Sequence, residues 1–264
     1  MLMTILSTVI FFGFLCLWLL PPYLKQGKQD KLPFRWILFT MLGGAVVAGG
    51  ISIGLQLLLD RWQVAHIEGL AGQAFSAFIS AALVEELTKF LVARVMMIFA
   101  KPVRKIDVIF LFAASGVGFE ILETVLGFSN SGSIAGAILR GVICLHVFLQ
   151  MFMGIHYDAC QAAKAAGKKV RAVLQMVVAF LLPILVHGLN DFSLFFMQME
   201  LNSYSALPAG AEMPILLPVS VVSVAVAVIA DLVFIIHSLV VTYREAKRSR
   251  AAEAAAAANQ VSAE

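Results

Sequence analysis

The chain has 264 residues, of which 61% are hydrophobic and only 13% charged, and its mean hydropathy is +0.94. Soluble domains average about 45–50% apolar and about 25% charged residues. That gap excludes a water-soluble globule, a disordered chain and a nucleic-acid module, and it points to the bilayer as solvent. The net charge of +3 says little as a total and much more through its placement.

About 20 consecutive apolar residues cross the hydrocarbon core as a helix. Taken in chain order, such runs cover residues 2–22, 36–59, 70–100, 107–127, 134–160, 172–198 and 214–242. They are continuous rather than alternating, so they are not barrel strands. The predicted fold is all-α, a polytopic transmembrane helical bundle of about seven spans, forming a single transmembrane domain over 1–243. The first run lacks a basic leader and a small-residue cleavage site, so it reads as a span. Residues 244–264 begin basic and become Ala-rich. This tail is expected to prolong the last helix briefly and then fray in the cytoplasm. Cys16, Cys144 and Cys160 lie in apolar runs without a C-x-x-C pair and read as small hydrophobes.

The loops alternate in charge. Lys25, Lys28, Lys31 and Arg35 follow the first span, and Lys101, Arg104 and Lys105 the third. Lys164, Lys168, Lys169 and Arg171 follow the fifth, and Arg244, Lys247, Arg248 and Arg250 the seventh, which accounts for 15 of the 19 basic residues. The other loops hold Asp60, Arg61, Glu68, Glu200 and Glu212. The positive-inside rule therefore predicts a multi-pass protein of the cell membrane with its N-terminus outside and its C-terminus in the cytoplasm.

Ionisable residues inside spans cost at least about 2.5–3.5 kcal/mol each at mid-bilayer and are functional candidates by default. The third span carries Glu85, Glu86 and Lys89, and the fourth Glu120 and Glu123. The fifth carries Arg140 and His146, and the sixth His187 and Asp191. Helical spacing lets Lys89 neutralise Glu85 or Glu86, puts Glu120 and Glu123 on one face, and sets Asp191 one turn from His187. Arg140 is a cross-helix partner for Glu120. With the spans oriented as above, these groups meet in the central and outer part of the bilayer. Such a cluster suits a bound divalent metal, an activated water or a proton relay. Asp231 and His237, on the last span, read as structural.

Three segments, VEELTKFLVAR (84–94), ASGVGFEILET (114–124) and HGLND (187–191), resemble the signature motifs of the PrsW family of bacterial intramembrane proteases, relatives of the CAAX prenyl proteases. Glu85–Glu86 match the paired-Glu motif, Phe119 and Glu123 the F-x-x-x-E motif, and His187 and Asp191 the H-x-x-x-N/D motif. His146 resembles a further His between the last two. The likeness covers about 70–198, with Lys89 standing where the CAAX branch places Arg one residue later. It implies an intramembrane endopeptidase with Glu85, Glu86 and His187 as catalytic groups. Glu123, His146, His187 and Asp191 would either bind a divalent metal, Zn²⁺ by donor type, or hold the water itself in a glutamate-type enzyme, and Lys89, Glu120 and Arg140 would be supporting residues. The implied partners are the lipid bilayer and a membrane-protein substrate such as an anti-sigma factor. A proton- or ion-coupled transporter and a non-catalytic scaffold of the same superfamily are the alternatives; no internal repeat supports the former.

The topology has a direct test. In a cysteine-free variant, Lys168→Cys is expected to resist membrane-impermeant thiol reagents in intact cells and to react once the membrane is opened. Labelling of intact cells at that position refutes the orientation.

Overall fold

The computed structural model describes residues 19–28, 31–131, 145–206 and 216–261, and apart from short connections they are helical. Most of the first expected span and Arg140 lie outside the described residues. A short helical segment, 19–25, precedes α1 (Phe34–His66) and α2 (69–100). They are followed by α3 (Lys105–Ser131), α4 (Leu145–Ala165), α5 (Lys169–Ser205) and α6 (Leu216–Val261). The six helices fall on the remaining six expected spans, the fifth (134–160) being described only from Leu145, and four of them are long and apolar enough to cross a membrane by themselves. The protein is a polytopic helical membrane protein.

Helix ends follow local chemistry. α2 stops where Lys101 turns left-handed (φ 46°) and its N–H bonds the Met97 carbonyl at 3.0 Å; Pro102 cannot continue the helix. α1 and α5 run past the expected span ends, so Asp60 and Glu200, placed in loops by the sequence reading, are helical. Both α1 and α2 contain wider π-helical stretches, Gly44–Ala48 and Ser76–Leu83. The second ends at Leu83, two residues before Glu85, and such stretches are frequent at functional sites because they re-aim the side chains that follow.

The core is α3, in which every residue from Ile106 to Glu120 is buried. A helix apolar on all sides is one enclosed by others. α3 packs against α1 and α4, α4 against α5, and α5 against α6 and the π-helical stretch of α2. Ile109, Phe110, Ala113 and Val117 of α3 meet Val147, Phe148 and Met151 of α4 in the largest apolar cluster. Lipid tails are as apolar as these side chains, so close packing rather than water exclusion drives the association. Small residues make the approach possible. A Cβ on Gly116 would stand 2.5 Å from the backbone oxygen of His146 and 2.9 Å from its carbonyl carbon.

The tail departs from expectation. α6 continues unbroken to Val261, so within the described residues it does not fray. Alanine favours helix, and the tail is also docked. Arg104 Nη1 donates to Ser249 Oγ at 3.0 Å, the Lys28 N–H donates to Glu253 Oε2 at 2.6 Å, and Lys105 pairs with Glu245 at 3.5 Å.

Gly116→Ala is expected to destabilise the purified protein by about 1–3 kcal/mol, because the colliding atoms are backbone and cannot rotate aside. Gly54→Ala, with open space around its Cβ, is expected to leave the thermal midpoint unchanged or raise it. Thermal unfolding in detergent decides between them.

Candidate active site

Four helices deliver the ionisable side chains to one place. α2 enters through Glu85, Glu86 and Lys89 in the turn and a half after its π-helical stretch. α3 adds Glu120 and Glu123, α4 His146 and Gln150, and α5 His187 and Asp191. α5 has Pro183 one turn before His187, which removes one helical hydrogen bond there. It comes close to α2 at Gly188, where a Cβ would collide with the Phe78 ring. Gly116 plays the same part for α4 at His146.

Lys89 is completely buried. Its Nζ lies 2.6 Å from Glu86 Oε1, 2.7 Å from His146 Nδ1 and 3.7 Å from Glu85 Oε2, and 4.4 Å from the centroid of the Phe119 ring. Glu86 is fully engaged. Gln150 Nε2 donates to its Oε2 at 2.8 Å, and His187 Nδ1 lies 3.0 Å from Oε1. Glu85 is engaged on one side only. Gln56 Nε2 donates to Oε1 at 2.8 Å, while Oε2 is buried without a hydrogen bond. That bare oxygen stands 3.8 Å from both His146 Nε2 and His187 Nε2.

Donor and acceptor counting fixes the two rings. An ammonium only donates, so with Lys89 in place His146 Nδ1 accepts and Nε2–H donates to Glu123 Oε2 at 2.7 Å. The His187 Nδ1–H donates to Glu86, and in the neutral ring the Nε2 lone pair then faces Glu85 Oε2 and, at 3.3 Å, Asp191 Oδ2. Three acceptors therefore point at one another across a small space, an arrangement that a cation or a shared proton would relieve.

A divalent ion fits this centre. Glu85, His146 and His187 form one group whose ligand atoms lie within 4.8 Å of one another, and Glu120, Glu123 and His146 form a second. Ligands 2.0–2.2 Å from a tetrahedral ion stand roughly 3.3–3.6 Å apart, close to the 3.8 Å separations here. Among the described residues five carboxylates surround the single Lys89 ammonium, so a cation also moderates buried negative charge. Glu86 on His187 Nδ1 is the carboxylate–histidine pairing typical behind metal-bound imidazoles. Ligation through His146 Nε2 requires its proton to move to Nδ1 and Lys89 to turn fully to the carboxylates.

The structure thus gathers Glu85, Glu86, Lys89, Glu120, Glu123, His146, His187 and Asp191. It does not join Glu123 and His187 in one ligand group; His146 stands between them. The sequence reading missed Gln56. α1 carries Ser52, Gln56 and Asp60 at four-residue intervals, bonded to Thr88, Glu85 and Ser80 of antiparallel α2 at 2.7, 2.8 and 2.6 Å. That polar stripe was visible in the sequence as a period. Asp231 of α6 is buried, with Oδ1 lacking a hydrogen bond, and it lies within electrostatic reach of His187 and Asp191.

The sequence model of the PrsW family of intramembrane metalloproteases matches residues 32–231, a range that contains every side chain named above and extends beyond the 70–198 of the motif likeness. The chain is 31% identical over 179 residues to Protease PrsW of Geobacillus kaustophilus, covering 65% of this chain and 72% of that protein. It is 33% identical over 176 residues to Protease PrsW of Clostridioides difficile, covering 64% and 71%. No solved structure matches.

Removing one member of a buried ion pair costs about 3–5 kcal/mol. Lys89→Met is therefore expected to destabilise strongly, and the double variant Glu86→Gln/Lys89→Met to recover part of the loss. With Glu86→Gln alone closing the cycle, a double-variant loss equal to the sum of the two single losses, measured by unfolding in detergent, would show that the pair is not coupled.

Proposed function

The chain belongs to the PrsW family of intramembrane metalloproteases, and from that premise we propose that the cluster around Glu85, His146 and His187 is its peptide-bond-hydrolysing centre. The observation that carries the proposal is the bare Glu85 Oε2, 3.8 Å from two imidazole nitrogens in a buried site.

Each residue has a role that follows from its contacts. Asp191 accompanies His187 and Glu123 accompanies His146, so the uncommitted oxygen belongs to Glu85. Glu85 is the general base, held by Gln56 through its other oxygen, and takes the proton of the attacking water. It then returns a proton to the leaving amine. His187 and His146, which share a ligand group beside Glu85, would hold the divalent ion, with Asp191 next to His187 and Glu123 next to His146, and this donor set suits Zn²⁺. When bound, that ion supplies polarisation of the scissile carbonyl and acidification of the attacking water. Glu86 keeps the His187 ring aimed, and Lys89 keeps Glu86 in place. Glu120 is a supporting group, with its Oε2 4.0 Å from His146 Nε2.

An intramembrane protease acts on a membrane protein. With the basic loops in the cytoplasm, the centre lies toward the outer half of the bilayer and suits a single-span substrate opened near its outer end. An anti-sigma factor fits that description; a prenylated substrate, presented at the cytoplasmic face, does not.

In liposomes with a single-span substrate, Glu85→Gln is expected to keep the fold and to slow cleavage roughly 10²–10⁴-fold. His187→Ala should lose both cleavage and bound metal, measured by elemental analysis, and Asp191→Asn should lose less of each. Chelation should stop cleavage and Zn²⁺ restore it. Full cleavage by Glu85→Gln, alone and combined with Glu86→Gln, refutes the assigned base, and proton flux without cleavage favours a transporter.

A further inference from the structure

At the opposite charge extreme from the acidic centre is a groove at the end of α6. Lys25, Tyr243, Arg244, Ala246, Lys247 and Arg250 line a cavity of about 520 Å³. Every charged residue in this lining is a cation. The neighbouring cavity, about 430 Å³, has Arg104, Lys105 and Arg248 in its lining but also Glu245 and Glu253. The two differ in kind, since one contains its own counter-charges and the other presents a single sign.

The groove is built from two elements. Tyr243, Arg244, Lys247 and Arg250 recur at three- and four-residue steps and so share one face of α6. Lys25 comes from segment 19–25, with its Nζ 5.3 Å from the centroid of the Tyr243 ring, a cation–π approach that brings the walls together. One turn nearer the bundle, the same face of α6 changes character. Ile229, Val233, Ile236 and Val240 are exposed and continue the same helical row, while Leu20 and Leu24 are exposed on the other element. A ligand fitted to the whole surface is therefore an amphiphile with an anionic head and apolar chains.

We infer that this groove binds the phosphate headgroup of an anionic phospholipid, whose acyl chains lie along the Ile229–Val240 row. A phosphate accepts hydrogen bonds from Arg and Lys together, and basic pockets where spanning helices leave the bilayer are suited to such headgroups. The Tyr243 ring sits at the boundary, apolar on its face and polar at its tip. Free phosphate would use the cations and leave the apolar row without purpose. The site is separate from the proposed peptidase centre and does not depend on it.

The test uses the full-length protein in neutral detergent, titrated with phosphatidylglycerol, phosphatidylcholine or glycerol 1-phosphate, with retained lipid read by native mass spectrometry and stability by thermal unfolding. Phosphatidylglycerol is expected to bind in preference to phosphatidylcholine and to raise the midpoint, and glycerol 1-phosphate to do neither. Arg244→Gln/Lys247→Gln should weaken phosphatidylglycerol binding roughly fivefold for each cation removed. Lys168→Gln/Lys169→Gln, at the start of α5, should bind as wild type. If the double variant does not fold, Lys25→Gln and Arg250→Gln singly carry the same expectation. Unchanged phosphatidylglycerol binding by the groove variants overturns the site. An equal response to glycerol 1-phosphate overturns the lipid and leaves a soluble phosphate as ligand.

Discussion

A single buried ammonium organises the centre of this protein. Lys89 is enclosed in a bundle that leaves its outer faces to lipid, where an unpaired charge is costly and a paired one must be closely held. Its contacts at 2.6 Å with Glu86 and 2.7 Å with His146 bind α2 to α4. Glu86 then reaches Gln150 of α4 and His187 of α5. Three helices are tied through one carboxylate and one ammonium. The rigidity of Glu86 is what leaves its neighbour Glu85 with an uncommitted oxygen, because the two adjacent side chains project in different directions from one helix.

These contacts require close backbones. Gly116 lets α3 meet α4 at His146, and Gly188 lets α5 meet the Phe78 ring of α2 beside His187. The π-helical stretch before Glu85 faces α5 and sets the rotation at which the paired acids enter. The Ser52–Gln56–Asp60 stripe locks the antiparallel α1 to the same helix through three hydrogen bonds. Packing without voids and polar groups satisfied across helices are the forces available in lipid, and here both converge on the turns that hold the acids.

Charge is divided along the molecule. Acidic groups are concentrated inside, where they suit a cation and a hydrolytic water. At the far end basic groups are concentrated, and Arg104 alone joins Asp107, Gln26, Gly27 and Ser249. That guanidinium anchors the segment before α1 and the end of α6 to the start of α3. That basic end is thus a built structure, so the Ala-rich tail stays helical to Val261, beyond the point where the sequence reading expected it to fray.

The sequence by itself determined the all-helical class, the approximate place of the described spans and the helices on which Glu85, Glu86, Lys89, Glu120, Glu123, His146, His187 and Asp191 lie. Apolar run length and the 3.6-residue period are properties of one helix and can be read from one helix. It left open whether Lys89 takes Glu85 or Glu86, since spacings of three and four residues both allow a pair. It also left out Gln56, because the Ser52–Gln56–Asp60 period, though visible, gains meaning only from what stands opposite. Those choices depend on how far each helix is rotated and how closely it approaches its neighbour. Both are set by the close approaches of Gly116 to the His146 backbone and of Gly188 to the Phe78 ring, between segments far apart in the chain, and only the tertiary structure decides them.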